Sequence, residues 1–561
     1  MVNLKSKKAG DLLVLGNGLM LAVLINLVSS DHFFRLDLTE EKRFTIKDQT
    51  KTLLSNLDDN VYIEVFLEGE LNSGFRRLRN GIREVLDEFR IYSGNKVNFT
   101  FTDPGSALSQ KARTEFMEDL AMKGVTPTRV VERKDGQTSE KIIFPGAVVS
   151  YGGLETGVML LKGNKASSTE EEINQSIEGL EFELANVIYK LSNTDRKRIG
   201  FLQGHGELDS LSVASLNNAL LELYDVYKVN LSRKSSLLGY DALILAKPTR
   251  PFSEQDKYKI DQYIMSGGSV LFLIDKLEAT MDSASREDYF AFPYELRLDD
   301  LFFKYGVRIN ADLLQDRTAG VYPVVTGQQG GRSQIQLLDW PFFPLINSYA
   351  DHPVTRNLDA VLMKFVSTID TVKAAGIRKT PLAFTSDYSR NLMAPVPVSI
   401  NEIRRNVSPE NFSAGSLPVA YLLEGTFTSL YKNRFLPEGV DGSSFQTDGK
   451  PARIIIVSDG DFARNDVNPR TGNPQQLGQD PFTNYTFANE EFLLNSVAHL
   501  TDENGLIRAR AKEVKIRPLN KERLRTEKTK WRVINIVVPL VLLILYGTTS
   551  ALIRKQKFSG T

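Results

Sequence analysis

Two long apolar runs bracket a chain whose middle alternates between strand-like and helix-like hydrophobic patterns. Leu12 to Val28 is apolar apart from Asn17 and Asn26 and follows Lys5, Lys7 and Lys8. At 1.5 Å per residue it reaches roughly 26 Å, marginal for a bilayer core of about 30 Å. It reads as a signal-anchor within a segment 1–30, with a cleaved signal peptide ending near Val28-Ser29-Ser30 as the alternative. Val533 to Ile553 (VINIVVPLVLLILYGTTSALI) carries no charge, with Trp531 at one side and Arg554, Lys555 and Lys557 at the other. That pattern predicts a transmembrane helix over 532–553 and a short tail over 554–561.

Between these runs the period switches repeatedly. Thr45 is placed to N-cap a helix ending near Leu57, and Val61 to Leu67 alternates as a strand. Phe75, Leu78, Ile82, Val85, Leu86 and Phe89 recur at helical spacing, and Val97 to Phe101 alternates again. A helix over Ala107 to Met122 and strands at Arg129–Glu132, Lys141–Phe144, Ala147–Tyr151 and Val158–Leu161 complete a first domain over 40–165. Its β-α-β-α-β-β order resembles a thioredoxin-like domain. The loop EGELNSG after the first strand holds no cysteine, which excludes redox chemistry there.

Glu170 to Leu191 carries an apolar stripe and reads as a linking helix over 170–192. A second α/β pattern follows over 196–505: strands at Arg198–Leu202, Asp225–Val229, Ala242–Leu245, Ser269–Ile274 and Ile454–Val457, with helices near Leu211–Leu223, from Ser253, and over Glu490–Leu500. Asp256 is the expected capping partner of Ser253. Strands alternating with helices imply a mostly parallel sheet. The stretch 278–450, rich in Pro, Gly and aromatics, reads as an elaborate insertion, and 506–531 as a basic juxtamembrane stem.

Composition narrows the chemistry. The 561 residues carry 69 Lys+Arg and 69 Asp+Glu, a formal net charge of zero, which argues against nucleic acid as a partner. Cysteine is absent, so disulfides, thiolate metal sites and a cysteine nucleophile are excluded. Neither G-x-S-x-G nor G-x-x-x-x-G-K-[ST] occurs, so neither a nucleophile elbow nor a P-loop is encoded. Gly204-His205-Gly206-Glu207, Asp275 and Ser458-Asp459-Gly460-Asp461 each follow a predicted strand. Loops beyond strand carboxyl ends converge in open α/β sheets. His205, Glu207, Asp275, Asp459 and Asp461 are therefore the expected lining of a ligand or divalent-metal pocket. The plainer alternative gives their polar groups to helix caps and neighbouring backbone. No catalytic set, cofactor or confident metal site follows. Trp340, Phe342, Phe343, Tyr349, Phe427 and Tyr431 could line a receptor pocket, although aromatics more commonly pack a core.

In the terminal helix, Gly547 and Ala551 are four apart on one face, with Ser550 beside them and Asn535 towards the other end. Small residues and an amide on a spanning helix point to packing against another membrane helix. The basic run Lys521 to Arg532 suits either anionic lipid heads or a solvated stem. A bare Lys/Arg count would place the body in the cytoplasm. Long domains escape that count, and the short basic N-tail before an apolar run favours both termini cytoplasmic with a periplasmic body.

Several stretches together carry a resemblance: DLTEEKRFTI from Asp37, VYIEVFLEGEL from Val61, FLQGHGE from Phe201, KYGVRINADLLQD from Lys304, DHPVTRNLD from Asp351, LLEGTFTSLYKNRF from Leu422, IIIVSDGDFARND from Ile454 and WRVINIVVPLVLL from Trp531. The chain resembles, over nearly its full length, the GldG family of gliding-motility auxiliary components of ABC transporters. The resemblance implies an inner-membrane subunit partnered with a separate permease and, through it, an ATPase, and leaves homo-oligomerisation open. It implies a larger domain of amidotransferase-like (Rossmann/flavodoxin-like) α/β fold, without the cysteine that amidotransferases use. The family's substrate-binding label is an analogy that names no substrate. The expected role is that of a non-catalytic scaffold, with a tethered receptor and an envelope-polymer hydrolase as alternatives.

Overall fold

The alternating VYIEV becomes strand β1 (Val61–Val65), whose Val61, Ile63 and Val65 are buried while Tyr62 faces out. The computed structural model describes residues 46–502 except 106–108, 135–136, 163–168, 194–195, 286–288, 330–331, 401–407 and 484, together with 526–558 and residues 13, 15–21, 23 and 24. Thr45, the stem up to 525, the end of the tail and much of the first apolar run lie outside the described residues.

Helix α1 (Asp48–Ser55) precedes β1, and helix α2 (Ser73–Tyr92) follows it. Helix α2 starts where Asn72 accepts the Phe75 N–H, and its Phe75, Leu78, Ile82, Leu86 and Phe89 point into the core. Strand β2 (Val97–Phe101), helix α3 (Gln110–Met122), the hairpin β3 (Thr128–Lys134) and β4 (Gln137–Ile143), then β5 (Gly146–Tyr151) and β6 (Leu154–Met159) complete the sheet-forming part. The four-stranded sheet has the order β2-β1-β5-β6; β1 and β2 are parallel and the other pairs antiparallel.

Helix α4 (Thr169–Ser192) contributes to this core: Ile173, Leu180, Leu184 and Ile188 pack with β1 and α2. Its Glu181 also caps α1. One carboxylate oxygen accepts the Lys47 N–H at 2.6 Å and the Thr50 hydroxyl at 2.9 Å, satisfying donors that Lys47, the N-cap residue, does not reach with its side chain.

The centre of the second sheet is built on continuous apolar runs, Ala242–Ala246 and Ser269–Leu273 being buried throughout, as strands covered on both faces require. Its strands are β7 (Arg198–Gln203), β8 (Asp225–Asn230), β9 (Ala242–Ala246) and β10 (Ser269–Leu273), then four from further along the chain. Before these four comes a long hairpin, β11 (Ala319–Gln329) and β12 (Arg332–Ile346). The four are β13 (Ser348–Tyr349), β14 (Ile377–Phe384), β15 (Pro418–Thr428) and β16 (Asp448–Val457), and the sheet order is β13-β14-β15-β16-β10-β9-β7-β8. Strands β16, β10, β9, β7 and β8 are mutually parallel; β13, β14 and β15 add antiparallel. The stretch 278–450 thus supplies strands to the same sheet.

Helices α5 (Ala214–Leu221) and α7 (Asn489–Thr501) cover one face through Leu216, Leu220, Phe492 and Val497. Between them in sequence, helix α6 (Glu254–Met265) and the short helix Asp299–Tyr305 cover the other through Ile260, Ile264, Phe302 and Tyr305. Trp340, Phe342, Phe343 and Phe365 form a smaller separate core, while Phe427 and Tyr431 join the core beneath α6. Tyr349 is half-buried, its hydroxyl donating to the Ile346 and Asp359 carbonyls. Trp340, Phe342, Phe343, Phe427 and Tyr431 thus serve as packing residues.

A separate unit, residues 513–561, contains helix α8 (Lys528–Phe558). Its stretch Lys528–Ile553 is 26 residues long and contains an 18-residue window of mean hydropathy 2.3, long and apolar enough to cross a membrane.

Candidate functional site

Parallel strands β7, β9, β10 and β16 end side by side, and the polar loops named from sequence leave from those ends. They form two groups, one on each side of the segment that follows β9.

In the first group, Glu207 turns back on its own loop: Oε2 accepts the Gly204 and His205 N–H groups at 2.9 and 2.7 Å. Gly206 has φ +78, and a Cβ there would stand 2.2 Å from Thr249 Oγ1, so this turn demands glycine. The His205 carbonyl accepts both the Thr249 and Arg250 N–H groups at 2.8 Å, tying the loop to the segment after β9. The buried imidazole stacks on Phe252, with centroids 3.7 Å apart and planes 9° from parallel. Glu207 Oε1 stands 3.6 Å from Nδ1, and Asp256 Oδ2 stands 3.4 Å from Nε2. Asp256 meanwhile holds the start of α6, with its N–H donating to Ser253 Oγ at 3.1 Å.

In the second group, Lys247 follows β9 directly and is buried. Its Nζ lies 2.8 Å from Asp275 Oδ2 and donates to Asp461 Oδ2. Asp461 also accepts from Arg464 Nε at 2.5 Å. Asp275 accepts the Gly460 N–H, and a Cβ on Gly460 would meet both Lys247 Cβ and Asp275 Cγ at 2.9–3.0 Å. Asp459 points elsewhere: Oδ2 accepts the Lys364 N–H at 2.8 Å, while buried Oδ1 has no partner.

The electrostatics follow from burial. Burial raises Asp275 to about 6 against the pull of Lys247. Burial, with Asp275 and Asp461 nearby, pushes Asp459 well above the usual carboxylate range. Burial also opposes the charge on Asp461, yet Lys247 and Arg464 hold its carboxyl below the usual value. For Lys247, burial favours the neutral amine, but the flanking carboxylates outweigh it and raise the ammonium above its ordinary value.

His205 and Glu207 are thus brought together, as are Asp275 and Asp461, with Asp459 adjacent in the chain. Among the described residues no group of three or more His, Asp or Glu is arranged to hold a metal ion. The cation between Asp275 and Asp461 is the ammonium of Lys247, a residue the sequence reading did not single out. Its signal was an isolated lysine directly after the buried run Ala242–Ala246.

A third titratable cluster joins α7 to the sheet. The rings of His352 and His499 meet edge to face at 4.9 Å, and His499 Nε2 is 3.5 Å from Glu424 Oε1. Arg378 Nη2 is 2.5 Å from Glu424 Oε2, and Arg453 Nη1 donates to the carbonyls of His499 and Asp502 at 2.7 and 2.9 Å. His499 and Arg378 hold Glu424 down to about 2 despite burial. Burial and the neighbouring His499 lower His352 to about 4.

Away from the strand ends, a cleft of about 930 Å³ opens where α1 and α4 face α7, lined among others by Tyr151, Tyr189, Tyr224, Asn186 and Glu490. In the terminal unit, Asn535, Gly547 and Ala551 are exposed along α8, and Ser550 is half-buried. The Thr548 and Thr549 hydroxyls donate to helix carbonyls one turn back, at 2.9 and 2.7 Å.

Comparison with known proteins supplies a context. The model of a family described as an ABC-type uncharacterized transport system, an auxiliary component, matches residues 196–496. A second model, for a domain of unknown function, matches residues 40–150. An uncharacterized protein of Borreliella burgdorferi is 24% identical over 440 residues, 76% of this chain and 80% of its own. A solved structure titled "mmIFT52 N-terminal domain" aligns with 54% of this chain and 97% of its own, at 12% identity and a TM-score of 0.30, too low to argue from.

Proposed function

The chain belongs to the ABC-type uncharacterized transport system auxiliary family, and on that premise we propose that it is a non-catalytic membrane subunit whose body scaffolds or couples a transporter. The observation that carries this reading is Lys247 between Asp275 and Asp461. Strand carboxyl ends are where a doubly wound sheet places its chemistry, and here Asp275 and Asp461 are committed to an internal lysine, while one oxygen of Asp459 accepts a backbone N–H. One oxygen of the neighbouring carboxylate, Glu207 Oε2, is committed to its own loop. Such a cluster holds loops in place and leaves the outer surface for partners.

The sheet order β2-β1-β5-β6 supports a thioredoxin-like reading of the first domain, and the parallel core of the second sheet supports an amidotransferase-like one. Neither has a cysteine with which to act. The resemblance to gliding-motility components supports a complex serving surface gliding and its associated secretion. The expected arrangement is a periplasmic body held by α8 and the first apolar run, with a permease as direct partner and the ATPase reached through it.

Purification of the intact protein in mild detergent, with mass-spectrometric identification of its companions, tests this reading. A permease and an ATPase at stoichiometric yield are expected. Isolation of the protein alone, with a hydrolytic activity that disappears in Asp459→Asn, would overturn it. The cleft of about 930 Å³ favours a second reading, a tethered receptor. Saturable binding of a transported solute, lost on Tyr224→Ala, would establish that reading over the scaffold.

A further inference from the structure

The hairpin β11–β12 is long and its outer part leaves the body. Near the base, Trp340 and Phe342 are fully buried. Further out, Gln334, Ile335, Gln336 and Leu337 are all exposed, so both faces of β12 meet solvent there. Val325 pairs with Ile335 and Pro323 with Leu337, which sets these four side chains on one face. Val325, Ile335 and Leu337 are 47%, 64% and 42% exposed. An apolar stripe on a two-stranded ribbon is unfavourable in water, and a ribbon of that kind is marginally stable without a further strand.

The two edges differ. Among the described residues, the outer side of β12 pairs at Leu345 and Ile346 with the short strand Val361–Leu362, and the Pro344 and Phe342 carbonyls accept the Met363 and Phe365 N–H groups. Its segment Gln334–Asp339 has no strand outside it among the described residues. That segment, QIQLLD, contains no proline and no lysine, the usual protections of an exposed edge. Strand β11 is protected: Pro323 lacks an N–H, and a bulge between Val325 and Gly327 breaks its register.

We propose that two copies of this chain join edge to edge through the outer segments of β12, pairing antiparallel about Gln336. A two-fold axis through Gln336 sets Ile335 of each copy opposite Leu337 of the other, twice over. The apolar stripes then run together across a four-stranded sheet. Two-fold pairing sets the segment against a second copy of itself, so it requires an edge that does not repel itself. This segment is uncharged until Asp339, which the same register places opposite position 333, a serine. A heterologous partner gives no reason for this palindromic Ile-Gln-Leu pattern. The pairing also closes at two, because the edges left outside belong to the protected β11 strands. The proposal stands on the geometry of the arm and does not depend on the transporter reading.

The test uses the intact protein in detergent. Light scattering coupled to gel filtration should give a dimer for the natural chain. The double substitution Ile335→Lys with Leu337→Lys opposes lysines across both pairs and should weaken self-association at least tenfold. Since the chain has no cysteine, Gln336→Cys introduces a single thiol on the proposed axis. With copper phenanthroline as oxidant it should crosslink most of the protein as dimers. Leu154→Cys, on an exposed position of the first domain, should not. A monomeric or larger-than-dimeric natural chain would overturn the proposal. So would dimers persisting in the lysine variant, or Gln336→Cys crosslinking no better than Leu154→Cys. The cysteine variants decide the matter even if the lysine variant fails to fold.

Discussion

Lys247 Nζ lies 2.8 Å from Asp275 Oδ2 with both side chains buried, so one internal cation neutralises the strand ends where a ligand would otherwise be sought. Breaking a buried ion pair by removing one partner costs ~3–5 kcal/mol, because it strands the opposite charge. Lys247→Met should lower the unfolding free energy by that order in urea titrations at pH 8. Asp275 already titrates near 6, above the unfolded carboxylate, so the folded state takes up a proton as pH falls. Stability of the variant should therefore fall as pH rises through the folded value, and the deficit should be smaller at pH 5. Equal stability of variant and natural protein at pH 8 would show that the lysine is dispensable.

His205 is expected to serve the shape of its loop. Removing a buried ring stacked on Phe252 leaves a void, and His205→Ala should cost on the order of 2 kcal/mol. The variant should still fold by circular dichroism and still co-purify with its partners. Loss of co-purification without loss of stability would instead make this loop a contact surface.

The cluster at α7 makes stability depend on acid. His352 is held near 4, below an unfolded histidine near 6.5, so its neutral form contributes stability fully above about pH 6.5. That contribution is lost as pH falls through this window towards 4. Glu424, held near 2, adds a second loss as pH falls below the ordinary carboxylate value of 4.5. In thermal melts, His352→Gln should flatten the decline in Tm between pH 6.5 and 4, leaving the decline below 4.5. An unchanged slope across the upper window would remove His352 from the account.

Helix α8 should dock as well as anchor. In lipid, close packing of small residues distinguishes one helix face from another, and apolarity alone does not. If the proposed transporter reading holds, Gly547→Leu with Ala551→Leu should preserve membrane insertion while reducing recovery of the proposed permease partner several-fold. Unchanged recovery would make α8 a plain tether.

What the sequence by itself determined is whatever one element can express alone. The period-two run at Val61–Val65, the helical spacing from Phe75 to Phe89, the continuous apolar strand Ala242–Ala246 and the uncharged Val533–Ile553 each carry a local burial pattern that a single segment must satisfy. The loops after β7, β10 and β16 were legible as polar strand ends for the same reason. What only the tertiary structure decided depends on partners far apart in the chain. Glu181 caps a helix more than a hundred residues earlier, and Lys247 reaches Asp461 across 214 positions. Strands β14 and β15 come from a stretch with no clear period, and they extend a sheet whose β16 edge would otherwise stand open. A lone lysine after a strand looks solvated in one dimension. Its burial becomes favourable only when two carboxylates from other strand ends arrive to neutralise it, and no local pattern records that arrival.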